Sequence, residues 1–187
     1  MNWPIQKIIN IEEEIYIQII TNMIKNLSLL GGKDIVIPFV DNSAIKTREE
    51  ENIIINFFKK LESCASKNNI NICLETDLEP EIIHKLLERS NNEMIKVNYD
   101  SGNSASLGYK FSDEINLYSD KITNIHIKDR LLNGGPVFLG EGDAELKSVK
   151  EFIVNSMYQG TLTFQAFRDD NNPISTFLKQ LEFFKTL

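Results

Sequence analysis

Residues 122–129 read ITNIHIKD, and the two faces of that stretch differ in kind. Strand side chains alternate, so Ile122, Asn124, His126 and Lys128 share one face while Thr123, Ile125 and Ile127 share the other. The same split recurs on either side. In MIKVNYD (94–100), Lys96, Asn98 and Asp100 oppose Ile95, Val97 and Tyr99. In INICLE (70–75), Asn71, Cys73 and Glu75 oppose Ile70, Ile72 and Leu74. In TLTFQAF (161–167), Thr161, Thr163 and Gln165 oppose Leu162, Phe164 and Ala166. A further apolar run, IVIPFV (35–40), precedes them and reads as a buried strand.

Helical patterns fill the intervals. Residues 11–30 space Ile15, Ile19, Met23, Leu27 and Leu30 along one stripe, and Gly31-Gly32 ends it. In 47–67, Thr47 caps with Glu50 three residues on, and Ile53, Ile54, Phe57, Phe58 and Leu61 form the buried face. Glu79-Pro80 opens a helix through about Arg89. Short helices are expected around 111–119 and over 144–157, a glycine-rich loop over 131–143, and a last helix from Pro173. Gly102 and Gly108 permit tight backbone in the segment after Asp100. Strands alternating with helices in this way predict a parallel sheet with helical crossovers.

An open doubly wound sheet buries both faces and favours apolar residues on each. One apolar face under helices, with a polar face turned to a shared interior, suits instead a barrel whose site lies at the C-terminal strand ends. The fold class predicted is α/β, a TIM-barrel-like (β/α) repeat of parallel strands. Glu75, Asp100, His126 and Gln165 would then meet at one rim, a mixed oxygen and nitrogen set suited to Mn²⁺, Mg²⁺, Co²⁺ or Zn²⁺. A single polar strand end is commonly just solvated; four in one register on successive strands favour a site.

Composition narrows the function. The chain has 187 residues, 42% hydrophobic and 25% charged, the balance of a globular protein in a single domain. Twenty basic against 27 acidic residues give a net charge of −7, with no Lys/Arg stripe to neutralise a phosphate backbone, so nucleic acid is not an expected partner. Cys64 and Cys73 have neither disulfide-framework nor metal-ligand spacing and read as reduced. The start, MNWPIQKIINIEEE, lacks the apolar core of a signal peptide, and no run approaches the roughly 20 residues of a membrane span. A cytoplasmic protein is expected. Trp3 beside Pro4 reads as ordinary packing or a remnant of a substrate-side loop, and His84 as a surface or helix-packing residue.

LET (74–76), VNYDSGN (97–103), NIHIKDR (124–130), PVFLGEGD (136–143) and YQGTLTFQAFRD (158–169) stand in an order and spacing that resembles the xylose isomerase-like TIM-barrel superfamily, closest to its sugar phosphate isomerase/epimerase branch. IVIPFVDNS (35–43) resembles the preceding strand. The resemblance implies a divalent ion held by a Glu, an Asp, a His and a second Glu. The first three positions fall on Glu75, Asp100 and His126; the fourth falls on Gln165, a departure. An amide oxygen can ligate a metal but takes no proton, so the two-base epimerase scheme of the family is disfavoured. One base suffices for aldose–ketose isomerisation through an enediolate, and Glu75 is the candidate base. Lys128 would add electrostatic stabilisation, or else pair with Asp129 or Glu141. Arg130 and Arg168 are candidates for a substrate phosphate. Asn103 and Glu141 are candidate substrate contacts, Glu141 alternatively a solvated loop carboxylate.

About five strands are visible, the last five of the eight such a barrel needs, so the sequence reads as one TIM-barrel domain over 1–187, incomplete at its N-terminal side. Five strands leave open edges, which leads us to expect a homo-oligomer or a complementing chain. The leading expectation is a metal-dependent sugar or sugar-phosphate isomerase. An inosose-type dehydratase or epimerase of the same superfamily, and a non-catalytic remnant, are the alternatives. An abasic-site endonuclease fits poorly, because two histidines do not make a histidine-rich zinc cluster.

Overall fold

The computed structural model describes residues 13–187. Trp3 and Pro4, and the expected first residues of the opening helix, lie outside them. The chain divides into two compact units, Met1–Asn98 and Tyr99–Leu187.

The described part of the first unit runs α1 (Glu13–Leu29), β1 (Asp34–Phe39), α2 (Arg48–Asn68), β2 (Asn71–Thr76), α3 (Pro80–Ser90) and into β3 (Ile95–Asp100). Strand β1 pairs in parallel with β2 from Asp34↔Asn71 to Phe39↔Thr76, and β2 with β3 from Ile72↔Ile95 to Leu74↔Val97. The Thr47 side chain accepts from the Glu50 amide, and the Glu50 carboxylate accepts from the Thr47 amide, the expected capping box of α2. Ile54, Phe57, Phe58, Leu61 and Ala65 bury the inner face of that helix, while Ile53 is only half-buried. Buried Glu51 on α2 binds Arg48 at 2.7 Å and also Arg89 of α3, tying the two helices. Gly31 adopts φ +78°, and the Gly32 amide returns to the Leu27 carbonyl at 2.9 Å, closing α1 where the sequence predicts.

One expectation for α1 is corrected. The buried side chains are Ile20 and Ile24, while Ile15, Ile19 and Met23 are 54%, 42% and 39% exposed and Leu30 is 85% exposed. An apolar repeat of i, i+4 defines a stripe, but two adjacent stripes of α1 are apolar. Packing against α2 selects the one one residue further on.

The second unit contains α4 (Ser101–Leu107), α5 (Phe111–Tyr118), β4 (Ile122–Ile127), β5 (Asp129–Arg130), β6 (Pro136–Val137), α6 (Leu146–Asn155), β7 (Thr161–Phe164) and α7 (Pro173–Thr186). The strand order in the main sheet is β1-β2-β3-β4-β7, with β4 and β7 parallel from Asn124↔Thr161 to Ile127↔Phe164. Strand β5 pairs antiparallel with β6, so the expected loop over 131–143 carries a short ribbon. Tyr99, Phe111, Tyr118, Ile125, Ile127, Leu146 and Val149 are buried in this unit.

Helix α4 is a finding the sequence did not announce. SGNSASL has poor helix propensity, yet the Asp100 carboxylate accepts from the amides of Gly102 (3.0 Å) and Asn103 (2.9 Å) and caps it. Gly108, at φ +77°, ends it. Strand β7 is shorter than 161–167, and Leu162, expected to be buried, is 39% exposed, because β7 has only β4 beside it in the described sheet. His84 lies half-buried 3.6 Å from Glu88, one turn on. Neither Cys64 nor Cys73 is in a disulfide, and the Cys73 thiol donates to Asp34 Oδ1 at 3.6 Å. Among the described residues, no helix is long and apolar enough to cross a membrane.

Candidate active site

The polar faces expected from alternation are buried at Glu75, Asp100 and His126, whereas Thr161 and Gln165 at the fourth strand are exposed. On β2, Glu75 is 8% exposed and accepts a hydrogen bond from Asn98 Nδ2 of β3 at 2.9 Å. That amide fixes one carboxylate oxygen of Glu75, a contact the sequence did not single out.

In the second unit, Asp100 divides its two oxygens between two tasks. Oδ1 accepts the two helix amides of α4. Oδ2 is buried with no hydrogen bond and faces His126 Nδ1 at 3.7 Å and Lys128 Nζ at 3.6 Å. The imidazole and the ammonium group that it faces both lie at distances too long for hydrogen bonds. Lys128 also reaches Asn103 Oδ1 at 3.3 Å and Gln165 Oε1 at 3.4 Å. Its partner is therefore Asp100; the alternative pairing with Asp129 or Glu141 is not what forms. Asp129 turns its carboxylate to the amides of Gly140, Gly142 and Ala144.

Backbone geometry holds these groups. Ser101 Oγ contacts the carbonyls of His126 (3.1 Å) and Lys128 (2.6 Å) and accepts from the Lys128 amide at 3.0 Å. This residue clamps the start of α4 to the end of β4, and only its position after Asp100 could have marked it. A Cβ on Gly102 would lie 2.7 Å from Lys128 Cγ and 3.1 Å from Arg130 Cγ, so the glycine lets both stems cross the helix. Gly102→Ala is expected to destabilise by about 1–2 kcal/mol net, overpacking outweighing alanine's better helix propensity. Urea unfolding would show it, and an unchanged midpoint would mean the two stems relocate freely.

The remaining candidates separate. Arg130 donates from Nη1 to Asn103 Oδ1 at 3.0 Å, and from Nε and Nη2 to the Gly134 carbonyl at 3.1 and 2.9 Å, so it organises the site-side loop. Gln165 follows β7, its amide bonded to the Ile127 carbonyl and its side chain exposed but for Lys128. Arg168 is exposed and pairs with Asp170 at 2.8 Å. Glu141 is an exposed loop residue. The structure thus gathers Asp100, Asn103, His126, Lys128, Arg130 and Gln165, and leaves Arg168 and Glu141 outside that set.

Carboxylate, imidazole and ammonium groups at the C-terminal ends of parallel strands occupy the place where (β/α) proteins carry their active sites. The xylose isomerase-like TIM barrel family matches residues 7–187, and this chain belongs to that family. It is 23% identical over 183 residues to the inosose dehydratase of Bacillus thuringiensis (strain Al Hakam), covering 84% of this chain and 61% of the relative. The chain therefore spans about three fifths of the length of the curated relatives it matches. Among solved structures it resembles a xylose isomerase domain protein from Planctomyces limnophilus, with TM-score 0.76 and 18% identity over 91% of this chain and 64% of that one. It also resembles the IOLI protein with a bound zinc atom, with TM-score 0.74 and 18% identity over 94% of this chain and 72% of that one. At these identities the likeness is one of fold: α/β of TIM-barrel type, with five of its parallel strands in the described chain.

Proposed function

We propose that this chain is a sugar-modifying enzyme of the isomerase kind. Glu75 moves a proton between adjacent carbons of a sugar or sugar phosphate, and Glu75, Asp100 and His126 hold a divalent ion. The observation that carries the reading is Asp100 Oδ2, a carboxyl oxygen buried without a hydrogen bond between an imidazole and an ammonium group. Each of the three residues offers one ligand atom, and two carboxylates with an imidazole suit Mn²⁺, Mg²⁺, Co²⁺ or Zn²⁺. Such an ion, when bound, would polarise the substrate carbonyl. The zinc carried by the similarly folded IOLI protein supports this choice of cofactor.

Glu75 accepts from Asn98, and Asn98 shares a strand face with Asp100 two residues on, which favours Glu75 acting with the other two. The Asn98 amide orients the carboxylate that would take the proton. Lys128 supplies positive charge for oxygen that gains negative charge in the transition state. In this reading Asn103 and Arg130, which are bonded to each other, contact substrate hydroxyl or phosphate oxygens. Gln165 can offer an amide oxygen as a fourth ligand but cannot exchange a proton, which favours one-base isomerisation over two-base epimerisation. The curated relative favours a second reading, in which the same base serves the loss of water from an inosose.

The test uses the purified 187-residue chain. Titration with Co²⁺ or Mn²⁺ is expected to reach about one ion per chain, two carboxylates and an imidazole being a sufficient set for either. The loaded protein is then followed by proton NMR in D₂O against pentoses, hexoses, their phosphates and an inosose. Deuterium entering next to the carbonyl with conversion between aldose and ketose supports isomerisation, and loss of water from the inosose would replace it with the second reading. A chain that takes up no ion and catalyses neither exchange nor dehydration would overturn both.

A further inference from the structure

Glu114 on α5 is 2% exposed and takes no part in the chemistry above. Its Oε1 accepts from Ser104 Oγ of α4 at 2.9 Å and from Tyr118 Oη, one turn along its own helix, at 2.8 Å. Its Oε2 is buried without a hydrogen bond. The surroundings are apolar and acidic. The Tyr99 and Phe111 rings pack 5.2 Å apart, and the Glu145 carboxylate accepts from the Phe111 amide at 2.7 Å. Tyr99 of β3, Glu145 before α6, and Asp113 and Tyr118 of α5 are the titratable groups that act with it.

Helix α4 depends on such tethers. Its sequence has little helix propensity of its own, and side chains hold it at both ends of its first turns. Asp100 caps the amides of Gly102 and Asn103, Ser101 clasps β4, and Ser104 reaches Glu114. Asn103, adjacent to Ser104, receives Lys128 and Arg130.

We infer that Glu114 is a positioning residue for the site, a buried carboxyl group whose protonation state sets how firmly α4 holds Asn103 and the amides that cap onto Asp100. The neutral form fits the pocket, since it leaves no charge on the unbonded oxygen, whereas the ionised form buries one facing other carboxylates. Burial lifts the Glu114 carboxyl from 4.5 to about 7, opposed by the hydrogen bonds from Tyr118 and Ser104 and assisted by Glu145 and Asp113. The folded-state value lies above the unfolded one, so this stabilisation is complete below about pH 4.5 and is lost as pH rises to about 7. An opening of α4 that exposes Glu114 would therefore become roughly tenfold more favourable between pH 6 and pH 8.

Hydrogen–deuterium exchange of residues 101–109 tests this without any ion or substrate, so its outcome is independent of the proposed reaction. After correction for intrinsic exchange, protection of the Gly102, Asn103, Gly108 and Tyr109 amides is expected to fall roughly tenfold from pH 6 to pH 8 in the native chain. In Glu114→Gln, a neutral group of the same shape, it is expected to stay level. Tyr118→Phe, which removes a hydrogen bond favouring the ionised form, is expected to move the fall to higher pH and serves as the test should Glu114→Gln not fold. The same pH response in Glu114→Gln as in the native chain, or an unmoved transition in Tyr118→Phe, would overturn the inference.

Discussion

Glu75→Gln is expected to lower turnover by roughly 10²–10⁴, the contribution of a well-placed general base, while affecting ion binding much less. The single glutamine oxygen has two lone pairs, one for Asn98 Nδ2 and one for a ligand, while the side chain loses its negative charge and the capacity to take a proton. Asp100→Asn should give the opposite division. Asparagine caps helices about as well as aspartate, so α4 keeps its Gly102 and Asn103 bonds. The charge that faces His126 and Lys128 disappears, however. Losing one ligand of a small set is expected to weaken the ion by roughly 10³, about 4 kcal/mol, a quarter of what a four-ligand zinc site contributes. Ion titration and steady-state rates on the two variants separate the roles. Equal loss of ion in both would place Glu75 among the ligands only, and full turnover in Glu75→Gln would remove it from proton transfer.

Asp129→Ala is expected to destabilise the fold by about 3–5 kcal/mol, because charged-acceptor hydrogen bonds are the stronger kind and three loop amides lose a buried carboxylate together. Asp129 is 1% exposed; its Oδ2 accepts from Gly140 at 2.8 Å and Gly142 at 3.0 Å, and its Oδ1 from Ala144 at 3.0 Å. The loop fits this carboxylate closely: a Cβ on Gly142 would meet Asp129 Oδ1 and the Arg130 carbonyl. For a chain of this size the melting temperature should fall by roughly 10 °C. Thermal and urea unfolding would measure it, and a loss under about 1 kcal/mol, the worth of one ordinary hydrogen bond, would show that water replaces the carboxylate without cost. Asp129 adjoins Lys128 in the HIKD run, yet the two side chains serve different ends, since neighbours in a strand point to opposite faces.

How much of this was legible is clearest residue by residue. The alternation in 70–75, 94–100 and 122–128 was enough to put Glu75, Asp100 and His126 on polar faces, and all three are buried there. Thr47 and Glu50 announced a capping box at their own spacing, and it forms. These are local signals, set by a period of two or of 3.6 and by turns within four residues. Helix α4 was not legible, because its cap comes from a carboxylate otherwise read as a ligand. Neither was the buried stripe of α1, where two stripes are apolar and α2 selects one. Glu114 gave no signal either, being an acidic residue in the first turn of a short helix, usually a solvated place.

By itself, then, the sequence determined a parallel α/β repeat, the strands and their polar faces, and the family, because hydrophobic periodicity and ordered motifs act within a strand or helix. Only the tertiary structure decided which polar groups are joined. It gave Lys128 to Asp100 rather than Asp129, divided the two Asp100 oxygens between a helix cap and a side facing His126 and Lys128, and buried Glu114 against α4. Those pairings span tens of residues along the chain, and competition among burial, hydrogen bonding and charge selects them only after the elements have packed.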